Sequence, residues 1–272
     1  MTSSLLLDER PRGRPAQGPG TVAVWAVRWG TLLALIVGWA LACRGPLAGN
    51  GYLTGPVQVV RDGLPAVLTA GPMQQLGFTM LRFAIAFCIM AIVGTTVGLA
   101  IGRLRRDVHL GLRDVVSVLY SLPMVPFYPL FVLWLGLGAR SEIAFGVIHG
   151  VVPVILLTMV ASAEVPPVYL DASRAMGATR TRRFASVMLP WLTPQLVGAV
   201  KIGAALSLLG VLLAELMIST DGVGSFVAGQ IANEQAAGLD AMVLLICLGA
   251  LVVNAALTAA ERRTSRWRST LG

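Results

Sequence analysis

Apolar stretches of about 20 residues recur along this chain, and short arginine clusters separate them. A run of that length crosses the ~30 Å hydrocarbon layer of a bilayer as an α-helix. The charged fraction is 12% and the hydrophobic fraction 56%, whereas a soluble domain carries about a quarter charged residues. These figures exclude a disordered chain, a nucleic-acid-binding tail protein and a soluble enzyme. They leave an all-α integral membrane protein.

Six spans are expected. The first covers about Val24 to Cys43, after a polar tail rich in Pro and Arg (residues 1–22) that reads as disordered. Ala40-Leu41-Ala42-Cys43 is a poor lipoprotein cleavage site, so residues 23–43 read as an uncleaved anchor. Residues 44–76 form an outer loop in which Val57 to Leu68 has the amphipathicity of an interfacial helix. The core, residues 77–260, opens with a second span at about Gly77 to Ile101. Val115 to Gly138 is apolar but carries Pro123, Pro126 and Pro129. Three prolines that close cannot sit in a straight helix, so this region is expected as a helix followed by a broken or re-entrant turn. The remaining spans lie at about Glu142 to Ala163, Gln195 to Ile218 and Asp240 to Ala260. A basic tail, residues 261–272, ends the chain.

Arginine orients the bundle. With a cytoplasmic N-terminus, inside segments hold fifteen arginines and outside segments three, Arg44, Arg61 and Arg140. The positive-inside rule then places both termini in the cytoplasm. The basic residues, 20 of 21 being Arg, lack the interleaved aromatics of a nucleic-acid surface. Cys43, Cys88 and Cys247 form no C-x-x-C pair, and His109 and His149 sit in no H-E-x-x-H, so no disulfide or metal site is inferred. The single lysine, Lys201, is followed by Ile202, so no G-K-[ST] phosphate loop exists. No catalytic residue and no cofactor is expected. ATP, if used, must be bound by another chain.

The segment from Glu164 to Pro190 is the most informative. Pro166-Pro167 suits a helix start. Val168, Tyr169, Ala172 and Met176 can share one face of a short helix, and Gly177 is placed to end it in a left-handed turn. A second helical turn, about Thr181 to Met188, leads to Pro190. So short a helix is unstable without a surface on which to bury its apolar side. It would dock on a partner protein or lie on lipid headgroups, held there by its arginines.

This segment resembles the signature loop of bacterial ABC importer permeases, E-A-A-x(3)-G-x(9)-I-x-L-P. Here it reads Asp171-Ala172-Ser173, then Gly177, then Val187, Leu189 and Pro190. The spacing matches throughout; Asp replaces Glu and Ser replaces Ala. The likeness runs from about Val57 onward and is closest to the nitrate, sulfonate and taurine permeases. Thr79-Met-Leu-Arg82 is similar to that group's T-x-x-R. Pro129 to Gly136 is similar to P-L-x-x-x-W-x-G. Glu215 followed by Gly222-Val-Gly224 is similar to A-E-x(6)-G-x-G, and Glu261-Arg-Arg and Trp267-Arg268 also fit. The first 50 residues carry no resemblance.

The resemblance implies a type I importer permease in the bacterial inner membrane. The loop would be a coupling helix docked on an ATPase subunit, two permeases would pair with two ATPases, and an extracytoplasmic receptor would deliver a small solute. Asp171, Ala172, Ser173, Gly177, Val187, Leu189 and Pro190 would form the coupling element. Glu215, an intramembrane acid, is a candidate for a path or gate, or for a partner of Arg82. Met124 and Tyr128, at the proline break, are candidates to line the path. Lys201 is expected to snorkel to the surface, and Gly94, Gly98 and Gly102 form a small-xxx-small face for close helix packing. An ion-coupled secondary transporter is the rival class, and it would need an inverted repeat with charged midplane residues. Within the family, a thiamine precursor or other small organic molecule is the alternative to nitrate, sulfonate or taurine.

Overall fold

The computed structural model describes residues 21–43, 54–233 and 236–265. Most of the polar tail lies outside those residues, as do Arg44 and the terminal Trp267-Arg268 pair. The chain forms two compact units, Met1–Pro56 and Val57–Gly272. In the first, α1 (Thr21–Ala42) is an apolar helix, with Trp25 and Trp29 stacked one turn apart.

Every described element of the second unit is helical. A broken helical segment comes first: α2 (Pro56–Gln58), a π-turn (Val59–Gly63) and α3 (Leu64–Val67). Helical turns thus occupy the stretch from Val57 to Leu68, and Val59, Gly63 and Val67 are buried. Helix α4 (Ala70–Gly102) has 33 residues, about 50 Å at 1.5 Å per residue, so it overshoots the bilayer core. Helix α5 (Arg106–Ser121) leads into a 3₁₀ turn (Val125–Phe127) and α6 (Tyr128–Leu135), and the pair bends by 80°. That is the broken span expected from the prolines, although α5 begins earlier than the apolar pattern implied. Gly136 and Gly138, both at positive φ, turn the chain into α7 (Ala139–Ala163). A short turn after α7 leads to α8 (Pro167–Ala175), α9 (Arg180–Arg183), a π-turn (Phe184–Met188) and α10 (Leu189–Met217). The described chain closes with α11 (Val223–Ala232) and α12 (Ala236–Ser265). Among the described residues, five helices are long and apolar enough to cross a membrane, six if the bent pair counts as one span.

Helices α4, α7 and α10 form the centre, and α7 is the most enclosed. Small residues set this spacing. A Cβ built on Gly94, Gly98 or Gly102 would fall 2.7 Å from Val154, 2.7 Å from Thr158 or into Ser162, all on α7. One turn along the same stripe of α7, a Cβ on Gly150 would lie 2.6 Å from the carbonyl oxygen of Gly203 on α10 and 2.9 Å from the Met90 side chain on α4. The small-residue face thus serves helix packing, as expected. Dispersion between closely approaching backbones is the main attraction available in lipid.

One substitution pair tests this packing. Gly150→Ala should lower thermal stability in detergent by about 1–3 kcal/mol, because rigid backbone blocks the added methyl. Gly111→Ala, on an exposed face of α5 with nothing within 4 Å, should be neutral or stabilising by up to ~1 kcal/mol.

Candidate functional site

Two sites stand at opposite ends of the bundle. Along α4, Arg82 and Gly102 are separated by 20 residues, about 30 Å. The first site gathers around Arg82, the second around the loop between α7 and α10.

Arg82 is 5% exposed. Its Nη1 lies 2.8 Å from Oε2 of Glu142 on α7 and 2.9 Å from Oε1 of Glu215 on α10. Its Nη2 pairs with Asp221. Both glutamates are buried, while the Asp221 side chain is 39% exposed. Three carboxylates thus share one guanidinium, and other donors carry the remaining charge. Thr79 Oγ1 donates to Glu215 at 2.7 Å and accepts from the Val223 amide at 2.8 Å. The Gly224 amide donates to Glu215 Oε2 at 3.0 Å. The Ser219 hydroxyl lies 2.7 Å from Glu142 Oε1. The Gly222 amide donates to the side-chain Oε1 of Gln75 at 2.5 Å.

The backbone here is shaped around Glu215. Gly222 has φ +91°, and a Cβ on it would lie 2.4 Å from the Glu215 carboxyl carbon. A Cβ on Gly224 would lie 2.4 Å from Glu215 Cβ. Only glycine lets the chain fold back over the acid at both positions. The turn in turn starts α11, which the sequence pattern left as part of an outer loop.

At the other end, Pro167 opens α8 at its first turn. Gly177, at φ +74°, ends it: its amide bonds to the Arg174 carbonyl at 2.9 Å and the Ala178 amide to that of Ser173 at 3.0 Å. This is a Schellman turn. The apolar face is bare: Val168 is 66% exposed, Tyr169 51% and Met176 79%. Ser173 faces inward and is buried, its hydroxyl donating to the Leu170 carbonyl. Asp171 pairs with Arg174 at 3.0 Å on the surface, where such a pair contributes little. Val187 lies in the π-turn, and Leu189 and Pro190 open α10 without any break in the helical path from Arg180.

Residues 94–266 match the family model of the binding-protein-dependent transport system inner membrane component. The chain belongs to this family. The permease is 28% identical to the taurine transport system permease protein TauC of Escherichia coli over 88% of each chain. It is 27% identical to the nitrate import permease protein NrtB of a Synechocystis strain, over 72% of this chain and 73% of that one. It is 23% identical to an aliphatic sulfonate permease protein of Bacillus subtilis over 79% and 77%. Among solved structures, the bacterial alginate ABC importer matches with TM-score 0.63, 13% identity, and 89% and 92% coverage. The inward-facing methionine transporter MetNI matches with TM-score 0.59, 20% identity, and 72% and 99% coverage. The fold is that of an ABC importer permease, a multi-pass protein of the bacterial inner membrane, and ATP hydrolysis belongs to a separate subunit.

In this permease the residues singled out from sequence separate into groups. Arg82 and Glu215 meet, and both are buried, so in this conformation neither lines an open path. Tyr128 is fully buried against Phe145, ring centroids 5.0 Å apart, so the expectation that it lines a path fails here. Met124 does face a cavity of about 240 Å³, together with Tyr120, His149 and Leu209. Lys201 reaches across to α12, where its Nζ donates to Thr258 at 3.0 Å and to Glu261 at 3.4 Å. Glu142 was missed. An acid at the start of an apolar run reads as a span boundary, and nothing in the linear sequence ties it to Arg82.

Removing each charge should cost differently. Arg82→Gln strands buried carboxylates and should destabilise by about 3–5 kcal/mol. Glu215→Gln forces an NH2 group against the donors of Thr79, Gly224 or Arg82 and should cost less, about 1–3 kcal/mol. Glu142→Gln should be mildest, since its amide can turn its oxygen to Arg82 and its nitrogen to Ser219. Thermal unfolding of the purified variants checks that order.

Proposed function

We propose that this permease forms the membrane pathway of an importer for a small oxyanion-bearing solute of the nitrate, sulfonate or taurine type. A receptor outside the membrane delivers the solute. A pair of ATPase subunits docks on the loops of a permease homodimer, and both termini of this chain face the cytoplasm. The observation that carries the coupling role is the bare apolar face of α8 closed by the Gly177 turn. A nine-residue helix that leaves Val168, Tyr169 and Met176 in solvent is completed by a groove on another protein. The substrate class rests on the taurine, nitrate and sulfonate relatives, which cover most of the chain; a formylaminopyrimidine permease at 23% identity is the thiamine-precursor alternative.

In this reading Asp171 and Ala172 sit on the docking helix, Ser173 fastens its inner side, and Gly177 sets its angle. Val187, Leu189 and Pro190 join it to α10. Glu215 and Arg82 close the far end of the same three-helix core, and Met124 lines the pathway. Alternating access is a shift between inward-open and outward-open states, biased by ATP and by the loaded receptor.

The test is ATPase activity of the complex reconstituted with its ATPase subunit and a candidate receptor. Gly177→Asp puts a side chain at positive φ, a cost of about 1–2 kcal/mol. Asp171→Arg sets like charge beside Arg174. Both variants should reach the membrane, yet ATPase capture or receptor-stimulated hydrolysis should fall about tenfold, the equivalent of ~1.4 kcal/mol. Wild-type stimulation in both would sink the coupling role.

A further inference from the structure

Beside the docking helix, the arginine-rich end of the bundle holds a cleft of about 490 Å³. Arg103, Arg174, Arg180 and Arg183 line it, from the end of α4 and from the segment between α7 and α10. Among the described residues no carboxylate lines it. Arg174 is engaged by Asp171, but Arg103, Arg180 and Arg183 make no ion pair among the described residues. Glu164 lines a neighbouring cleft with Arg106, His109 and Arg113.

Three details show that this charge is held in place rather than dispersed. The Arg103 guanidinium stacks on the Phe184 ring, 3.7 Å from its centroid. Burial and the neighbouring Arg180 hold the Arg103 pKa below the ordinary arginine range. The Arg183 Nε is buried with no hydrogen-bond partner, an arrangement that costs free energy until an acceptor arrives. The rest of the wall, Leu170, Phe184 and Met188, is apolar.

We infer that this cleft binds the phosphate group of an anionic phospholipid, with the guanidiniums on the phosphate oxygens and the apolar wall against the first part of an acyl chain. Guanidinium forks match phosphate geometry. The cleft lies at the end of a membrane span, where headgroups are. The inference stands independently of the transported solute and of the coupling role.

The experiment uses delipidated full-length protein in detergent, titrated calorimetrically with dihexanoyl-phosphatidylglycerol, dihexanoyl-phosphatidylcholine and inorganic phosphate. Arg103→Gln/Arg180→Gln is compared with wild type and with Arg61→Gln, an exposed arginine of the segment before α4. Phosphatidylglycerol should bind wild type and Arg61→Gln alike, and about tenfold or more weakly to the double variant. Phosphatidylcholine should bind more weakly than phosphatidylglycerol. Arg180→Lys, which keeps charge but loses the fork, should fall between and guards against a folding defect in the double variant. If inorganic phosphate matches the lipid and competes with it, the phosphate site stands and a free anion is its source. If neither probe binds wild type better than the double variant, the inference is overturned. Loss of ATPase capture by that same variant would then assign the cluster to protein docking.

Discussion

A guanidinium buried between three helices organises this fold. Arg82 must stay charged, so every element near it must bring an acceptor. Glu142 comes from α7, Glu215 from α10 and Asp221 from the turn that follows. Desolvating four charges is expensive, and their mutual attraction offsets the cost only when the geometry and additional hydrogen bonds are in place. That requirement explains why Thr79 both donates and accepts, why the Gly224 amide points at Glu215, and why Asp221 keeps part of its surface in solvent. One end of α4, α7 and α10 is therefore locked by directional contacts. Their remaining length is held by non-directional packing at glycine.

Those two kinds of restraint divide the work. Charge pairing is specific and resists sliding, because a shift of one residue along any helix breaks several contacts together. Glycine contacts tolerate small rotations, since they hold distance without fixing one partner atom. A bundle pinned at one end and smoothly packed along its length is stiffest near Arg82 and more compliant toward the arginine-rich end.

Much of this was legible from residues alone. The spans, the proline break after α5, the helix from Val168 and the turn at Gly177 all follow from periodicity and backbone preference. The pairing of Arg82 with Glu215 could be named because each is a conspicuous charge in an apolar run. Glu142 could not, since pairing across 60 residues leaves no local trace. Nor could α11: its start depends on a glycine turn that exists because Glu215 occupies the space beneath it. The partners of Tyr128 and Lys201 were hidden for one reason. Which side of a helix faces protein rather than lipid is a property of neighbours, and neither residue's neighbours are near it in sequence.

From Arg180 to Met217 the backbone stays helical for 38 residues, through a π-turn and past two prolines. At 1.5 Å per residue that is a rod of about 57 Å. It begins in the loop that carries the arginine cleft and ends at the acid that holds Arg82. No flexible joint lies between them to absorb a push. A tilt imposed at the near end is carried along the helix toward the charge cluster, with the π-turn and Pro194 as its two points of weakened backbone hydrogen bonding. The arginine-rich loop and the Arg82 cluster are thus joined by one continuous helix rather than by a loop.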